Sequence, residues 1–155
     1  MKLKKSQYSE NFWDYEFNYV EPEPMLLTVL ERLRVKMGGP IIITSGPRTV
    51  ESHIEIYKKF ENNGKLDGKK WYEAIPWGSR HLPAHGQKLR AADFCVVKRP
   101  IKLNEPKENF NGEVILANLL EIEKETEVPL GIGVGRRYCH VDIDRKKPTV
   151  WYYKD

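Results

Sequence analysis

Ser79-Arg80-His81-Leu82 leads through a spacer into Ala91-Ala92-Asp93-Phe94, and Cys139-His140-Val141-Asp142 answers it near the C-terminus. Two histidines and a carboxylate from well-separated segments are the donor set of an open catalytic zinc site, which takes three protein ligands and leaves a fourth position. Asp93 starts the apolar run Phe94-Cys95-Val96-Val97, and His140 sits in the alternating run Tyr138 to Ile143, so both read as strand residues. If those strands are neighbours, His81, Asp93 and His140 can converge on one metal. Cys139 adjoins His140, but adjacent strand residues point to opposite faces and should not serve one site.

Outward from this stretch, helices are followed by short, antiparallel-looking strands. Pro22 and Pro24 introduce a helix from Met25 to about Met37, with Leu26, Val29, Leu30 and Leu33 at helical spacing and Gly38-Gly39 as its stop. Pro40 to Thr44 reads as a short buried strand, and Thr49 as the cap of a second helix reaching Phe60. Residues 64–80 read as a polar and aromatic loop, and 98–111, with Pro100 and Pro106, as a surface connection. A third helix, about Glu113 to Glu125, places Val114, Ile115, Leu119 and Ile122 inward, and Thr149 to Tyr153 is a last strand. This pattern predicts an α+β domain, a small antiparallel sheet with helices packed on it. Residues 1–20 form an aromatic arm laid over the core by Phe12, Trp13, Tyr15 and Phe17.

The chain has 155 residues, enough for a single domain, 1–155. With 40% hydrophobic and 31% charged residues it has the make-up of a soluble globular protein. Its net charge of +4 is spread thinly, which argues against a nucleic-acid partner, and no apolar stretch is long enough for membrane insertion. The basic start is followed by Ser6-Gln7-Tyr8-Ser9-Glu10, not the apolar core of a signal peptide, so synthesis in the cytoplasm is the expectation. Cys95 and Cys139 read as buried free thiols. Gly131-Ile132-Gly133-Val134-Gly135 fits no phosphate-loop template and reads as a tight, close-packed turn. His53, between Ser52 and Ile54, reads as a solvated helix residue, and Ser45 as a turn serine.

Ser45-Gly46-Pro47-Arg48-Thr49, then Ser79-Arg80-His81-Leu82 with Ala91-Ala92-Asp93, then His140-Val141-Asp142 together resemble the successive motifs of the zinc D-alanyl-D-alanine carboxypeptidase family. The aromatic arm and the closing Thr149-Val150-Trp151-Tyr152-Tyr153 resemble its small single-domain branch. The resemblance implies the Hedgehog/D,D-peptidase fold and a zinc metallopeptidase of the D,D- or L,D-carboxypeptidase or endopeptidase type, acting on peptidoglycan peptides. It implies His81, Asp93 and His140 as zinc ligands. It also implies a substrate-side role for Arg48, whose planar fork suits a peptide carboxylate or carbonyl; the alternative is a structural bond to loop carbonyls.

Two departures from the family pattern stand out. His81 and Asp93 are separated by more than the family's short spacer, and Pro83 to Lys88 read as an insertion, which leaves His85 as an alternative ligand to His81. Arg137 stands where some relatives carry a glutamate, so no general base carries over. Asp142 shares the His140 face and is the candidate base, or else a carboxylate that orients a ligating histidine. A wall-cutting enzyme without a signal peptide suggests phage release or delivery. The alternative function is a non-enzymatic, zinc-stabilised structural or binding domain of the same fold, and a monomer is the expected state.

Overall fold

The computed structural model describes residues 9, 11–83, 87–98 and 108–154. A proline in the first turn of a helix removes no intrahelical hydrogen bond, and α1 (Pro24–Met37) begins on Pro24. Leu26, Leu27, Val29, Leu30 and Leu33 form its buried stripe, and Gly38 closes it in the left-handed region at φ 64° with its N–H on the Arg34 carbonyl. Thr49 caps α2 (Val50–Asn62) by accepting the Ser52 N–H at 3.0 Å. A short α3 (Trp71–Ala74) interrupts the stretch expected as loop, its first turn held by Glu73 accepting the Lys70 N–H at 3.2 Å. The last helix, α4 (Gly112–Thr126), turns Ile115, Leu116, Leu119 and Ile122 inward; Val114, expected inside, is 42% exposed and Leu116 takes its place.

Five strands form one sheet: β1 (Ile41–Ser45), β2 (Ala91–Val96), β3 (Gly131–Val134), β4 (Cys139–Asp142) and β5 (Thr149–Tyr152), in the order β1-β2-β4-β3-β5. Helices α1 and α4 pack against each other and cover one face. Under them lie Phe94, Val96, Ile132, Val134, Cys139 and Val141, continuous with the helix leucines in one hydrophobic core. Burying such side chains is worth roughly 1.5–3 kcal/mol each. The surface pairs Arg32–Glu125 and Lys36–Glu125, which bridge the same helices, add little beside that. Because strand side chains alternate, the residues between these core positions face the other way, and Asp93, His140 and Asp142 are among them.

The α+β class holds, but the sheet is mixed where an antiparallel one was expected, because β5 pairs parallel with β3. The chain does reverse after β4; since β3 already occupies the free edge of β4, β5 lands beyond it and runs alongside β3. The glycine-rich run is not a turn either: Gly131–Val134 is β3 itself, buried along its length. In the arm, Phe12 and Phe17 are buried with ring centroids 5.8 Å apart, and Asp14–Phe17 forms a 3-10 turn; residues 1–8 and 10 lie outside the described residues. Most of the expected 98–111 connection, residues 99–107, also lies outside them. Among the described residues, no helix is long and apolar enough to cross a membrane.

Candidate metal centre

On the face away from α1 and α4, strand register sets one row of residues across the sheet: Ser45, Asp93, His140, Gly133 and Trp151. Asp93 and His140 are directly opposite each other, so their side chains meet without help from any loop. His81 arrives from the turn after α3. Its carbonyl accepts the Arg48 N–H at 2.7 Å, which ties that turn to the β1–α2 connection.

The three side chains converge. His140 Nδ1 lies 2.8 Å from Asp93 Oδ1, His81 Nε2 lies 3.3 Å from the same oxygen, and the two nitrogens are 3.1 Å apart. A tetrahedral zinc with bonds of about 2.0–2.1 Å sets its ligand atoms roughly 3.3–3.4 Å apart, so the observed triangle is of metal-site size, slightly contracted. The far nitrogens reveal which atoms would bind. His81 Nδ1 donates to the Gly46 carbonyl at 2.7 Å, and His140 Nε2 donates to Asp142 Oδ2 at 2.6 Å. With those far nitrogens engaged, His81 Nε2, His140 Nδ1 and an Asp93 oxygen face one point. Three such atoms crowded together repel unless a proton or a metal cation lies between them. Among the described residues these are the side chains whose geometry could hold a metal ion, and two nitrogens with one oxygen is a donor set that zinc accepts.

The electrostatics agree with a cation-binding cluster. Burial alone would raise the Asp93 carboxyl, but hydrogen bonds with His140 and His81 outweigh it and hold the group well below the usual carboxylate range. Burial pulls His140 down, yet Asp142 and Asp93 on its two ring nitrogens more than offset this and raise it. A proton on His140 is thus the natural substitute for the metal, and the two compete for one place.

Asp142 lies at the back of the cluster and is 2% exposed. Its oxygens accept His140 Nε2–H and both Arg145 Nε (2.5 Å) and Nη2 (2.7 Å). Burial pushes its carboxyl up, but Arg145 and His140 outweigh that and keep it at about 2. A carboxylate so engaged orients a ligating imidazole. Arg48 reaches Asp93 Oδ2 with Nη2 at 3.3 Å, and its Nε is buried with no hydrogen-bond partner among the described residues. The guanidinium thus retains donor capacity beside the cluster. His85, the alternative ligand, lies outside the described residues.

Several residues that shape the site were not legible as such. His53, expected in solvent, is fully buried; its Nε2 donates to the Pro76 carbonyl at 3.0 Å and its ring packs on Tyr57 and Trp77. That bond pins the turn leading to Ser79 and His81 onto α2. Gly131 and Gly133 lack side chains because the space over them is filled: a Cβ on Gly131 would stand 2.3 Å from Asp142 Oδ1, and one on Gly133 would stand 2.8 Å from Trp151 Nε1. Alternate glycines in a strand beside a histidine strand were the available signal. Cys139 faces the helices, its thiol 3.5 Å from the Gly112 carbonyl, and burial pushes it up to about 12, so it is an inert core group. Both cysteines are free and buried.

No family model, no curated protein and no solved structure matches this chain.

Proposed function

We propose that the chain is a zinc-dependent peptidase acting on the peptide stems or cross-links of bacterial peptidoglycan. The observation that carries the metal part of this reading is the triangle of His81 Nε2, His140 Nδ1 and Asp93 Oδ1, closed at 2.8–3.3 Å. Zinc held there would lower the pKa of a bound water toward neutrality and polarise a scissile carbonyl. The chain's own residues supply the rest. Gly46 and Asp142 hold the imidazoles in their ligating tautomers, and Arg48, paired with Asp93, places a fixed positive charge beside the cluster for a substrate carbonyl or carboxylate. The substrate class rests on the motif resemblance alone.

The engagement of Asp142 on both oxygens favours a second reading, a non-enzymatic zinc-stabilised domain, since it removes the carboxylate otherwise placed to accept a proton. Digestion of purified muropeptides by the zinc-loaded protein, followed by mass spectrometry, separates the two. Peptide cleavage with intact glycan strands is the expected result. Glycan cleavage with untouched peptides would refute the peptidase reading, and complete inertness with zinc bound would select the non-enzymatic one.

A further inference from the structure

Opposite His140 on the neighbouring strand stands Gly133, a residue without a side chain. Its missing Cβ would lie 2.6 Å from Tyr153 Oη and 2.8 Å from Trp151 Nε1. Both polar atoms therefore sit over β3 on the face that carries His140, about one strand spacing (~4.8 Å) from it. The Trp151 ring confirms the placement, with its centroid 5.2 Å from that of His140. Trp151 also hydrogen-bonds the Tyr153 oxygen. An indole N–H can only donate, so the phenol accepts from Trp151 and keeps its own proton for another acceptor. Tyr138 stacks on the Tyr153 ring at 5.6 Å and 26°, fixing its plane, while Tyr153 remains 36% exposed and so open to an incoming molecule.

We infer that the Tyr153 hydroxyl is an oxyanion donor of this site: it hydrogen-bonds the carbonyl oxygen of a scissile amide and strengthens that bond as the oxygen gains negative charge, with Trp151 as its positioning residue. The inference rests on the hydrolytic reading above. No proton leaves Tyr153 and no bond forms to it; the hydroxyl stabilises charge where charge develops, in a partly desolvated place where such a bond counts most. A phenol ordinarily keeps its proton up to about pH 10, and burial, with the Asp93 carboxylate after it, pushes this one further up.

The test uses the full chain with zinc added, comparing wild type with Tyr153→Phe and Trp151→Phe. Zinc affinity is measured first, by competition with a chromophoric chelator. Binding of two probes is then measured by calorimetry: D-alanyl-D-alanine, and its phosphinate analogue with a tetrahedral anion in place of the scissile amide. Tyr153→Phe is expected to keep wild-type zinc affinity, to lose only about a few-fold in dipeptide affinity, and to bind the phosphinate roughly 10- to 100-fold more weakly, the worth of one hydrogen bond to a charged group. Trp151→Phe, which frees the phenol to rotate, falls between the two. Equal phosphinate affinity in wild type and Tyr153→Phe overturns the inference, as does a wild type that ignores the phosphinate. Loss of zinc in Tyr153→Phe overturns it too, by showing a structural role. If wild type binds the phosphinate with the expected discrimination but cleaves no peptide, the hydrolytic reading fails and the donor assignment stands.

Discussion

Asp142→Asn distinguishes an orienting carboxylate from a general base. In the native site both Asp142 oxygens accept, one from His140 Nε2 and Arg145 Nη2, the other from Arg145 Nε. An asparagine offers one acceptor oxygen and one donor amide. Turned with its oxygen to Arg145, it presents N–H to His140 Nε2, and the imidazole must then carry its proton on Nδ1, the atom that faces Asp93 and His81. That tautomer blocks the metal. Turned the other way, the oxygen keeps His140 Nε2 and Arg145 Nη2 but the amide meets the half-buried Arg145 Nε, donor against donor, at a cost of about 1 kcal/mol or more. Either arrangement weakens metal binding, and outer partners of ligating histidines are worth about 10- to 100-fold in affinity, or roughly 1.4–2.7 kcal/mol. Chelator competition at fixed pH reads this directly. Zinc affinity within twofold of wild type, together with a peptide-cleavage rate lowered by about 10²–10⁴, would refute the orienting role and make Asp142 the base.

His53 is neutral in the fold because burial lowers it below its ordinary 6.5, against the smaller upward pull of the Pro76 carbonyl. Its contribution to stability is therefore complete above that value and is lost as the pH falls below it, with a slope of at most about 1.4 kcal/mol per pH unit. His53→Gln, which can still donate to Pro76, should flatten the acid limb of a urea-unfolding series below pH 6.5 relative to wild type; parallel limbs would refute the assignment. Gly133→Ala places a methyl 2.6 Å from Tyr153 Oη and 2.7 Å from its Cε2. It should cost about 1–3 kcal/mol by overpacking while leaving zinc content intact, since the three ligands lie on other segments. A thermal melt with elemental analysis checks both parts, and zinc loss in this variant would show that the aromatic wall holds the ligands.

Residues governed by local periodicity were readable from the chain. Asp93 and His140 share a face because each lies in a strand with alternating neighbours, and Cys139 faces away for the same reason. Thr49 caps its helix and Gly38 ends one, both through local backbone chemistry. What escaped depends on tertiary neighbours. His53 lies on a helix whose partner surface, the turn at Pro76 and Trp77, has no periodic signature, so its burial could not be inferred from spacing. The glycines of β3 mimic a turn locally, and only side chains arriving from other segments, Arg145 and Asp142 over Gly131 and Trp151 and Tyr153 over Gly133, explain why that strand must be bare. The parallel pairing of β5 depends on β3 having taken the edge of β4, a topological fact with no local trace. Ile115, Leu119 and Ile122 face inward as their spacing predicts, but the edge of that stripe is Leu116 and not Val114, a choice that packing makes and spacing leaves open.

The decisive measurement is the metal content of the purified chain by elemental analysis, before and after zinc addition and removal of excess. It should be made on wild type, His81→Ala, Asp93→Ala, His140→Ala and His85→Ala together. The geometry of His81, Asp93 and His140 predicts stoichiometric zinc in wild type and in His85→Ala, and a collapse of zinc content in the other three with their fold retained. Wild-type protein that takes up no metal would contradict the metal centre itself. Zinc retained in His81→Ala but lost in His85→Ala would contradict the ligand assignment.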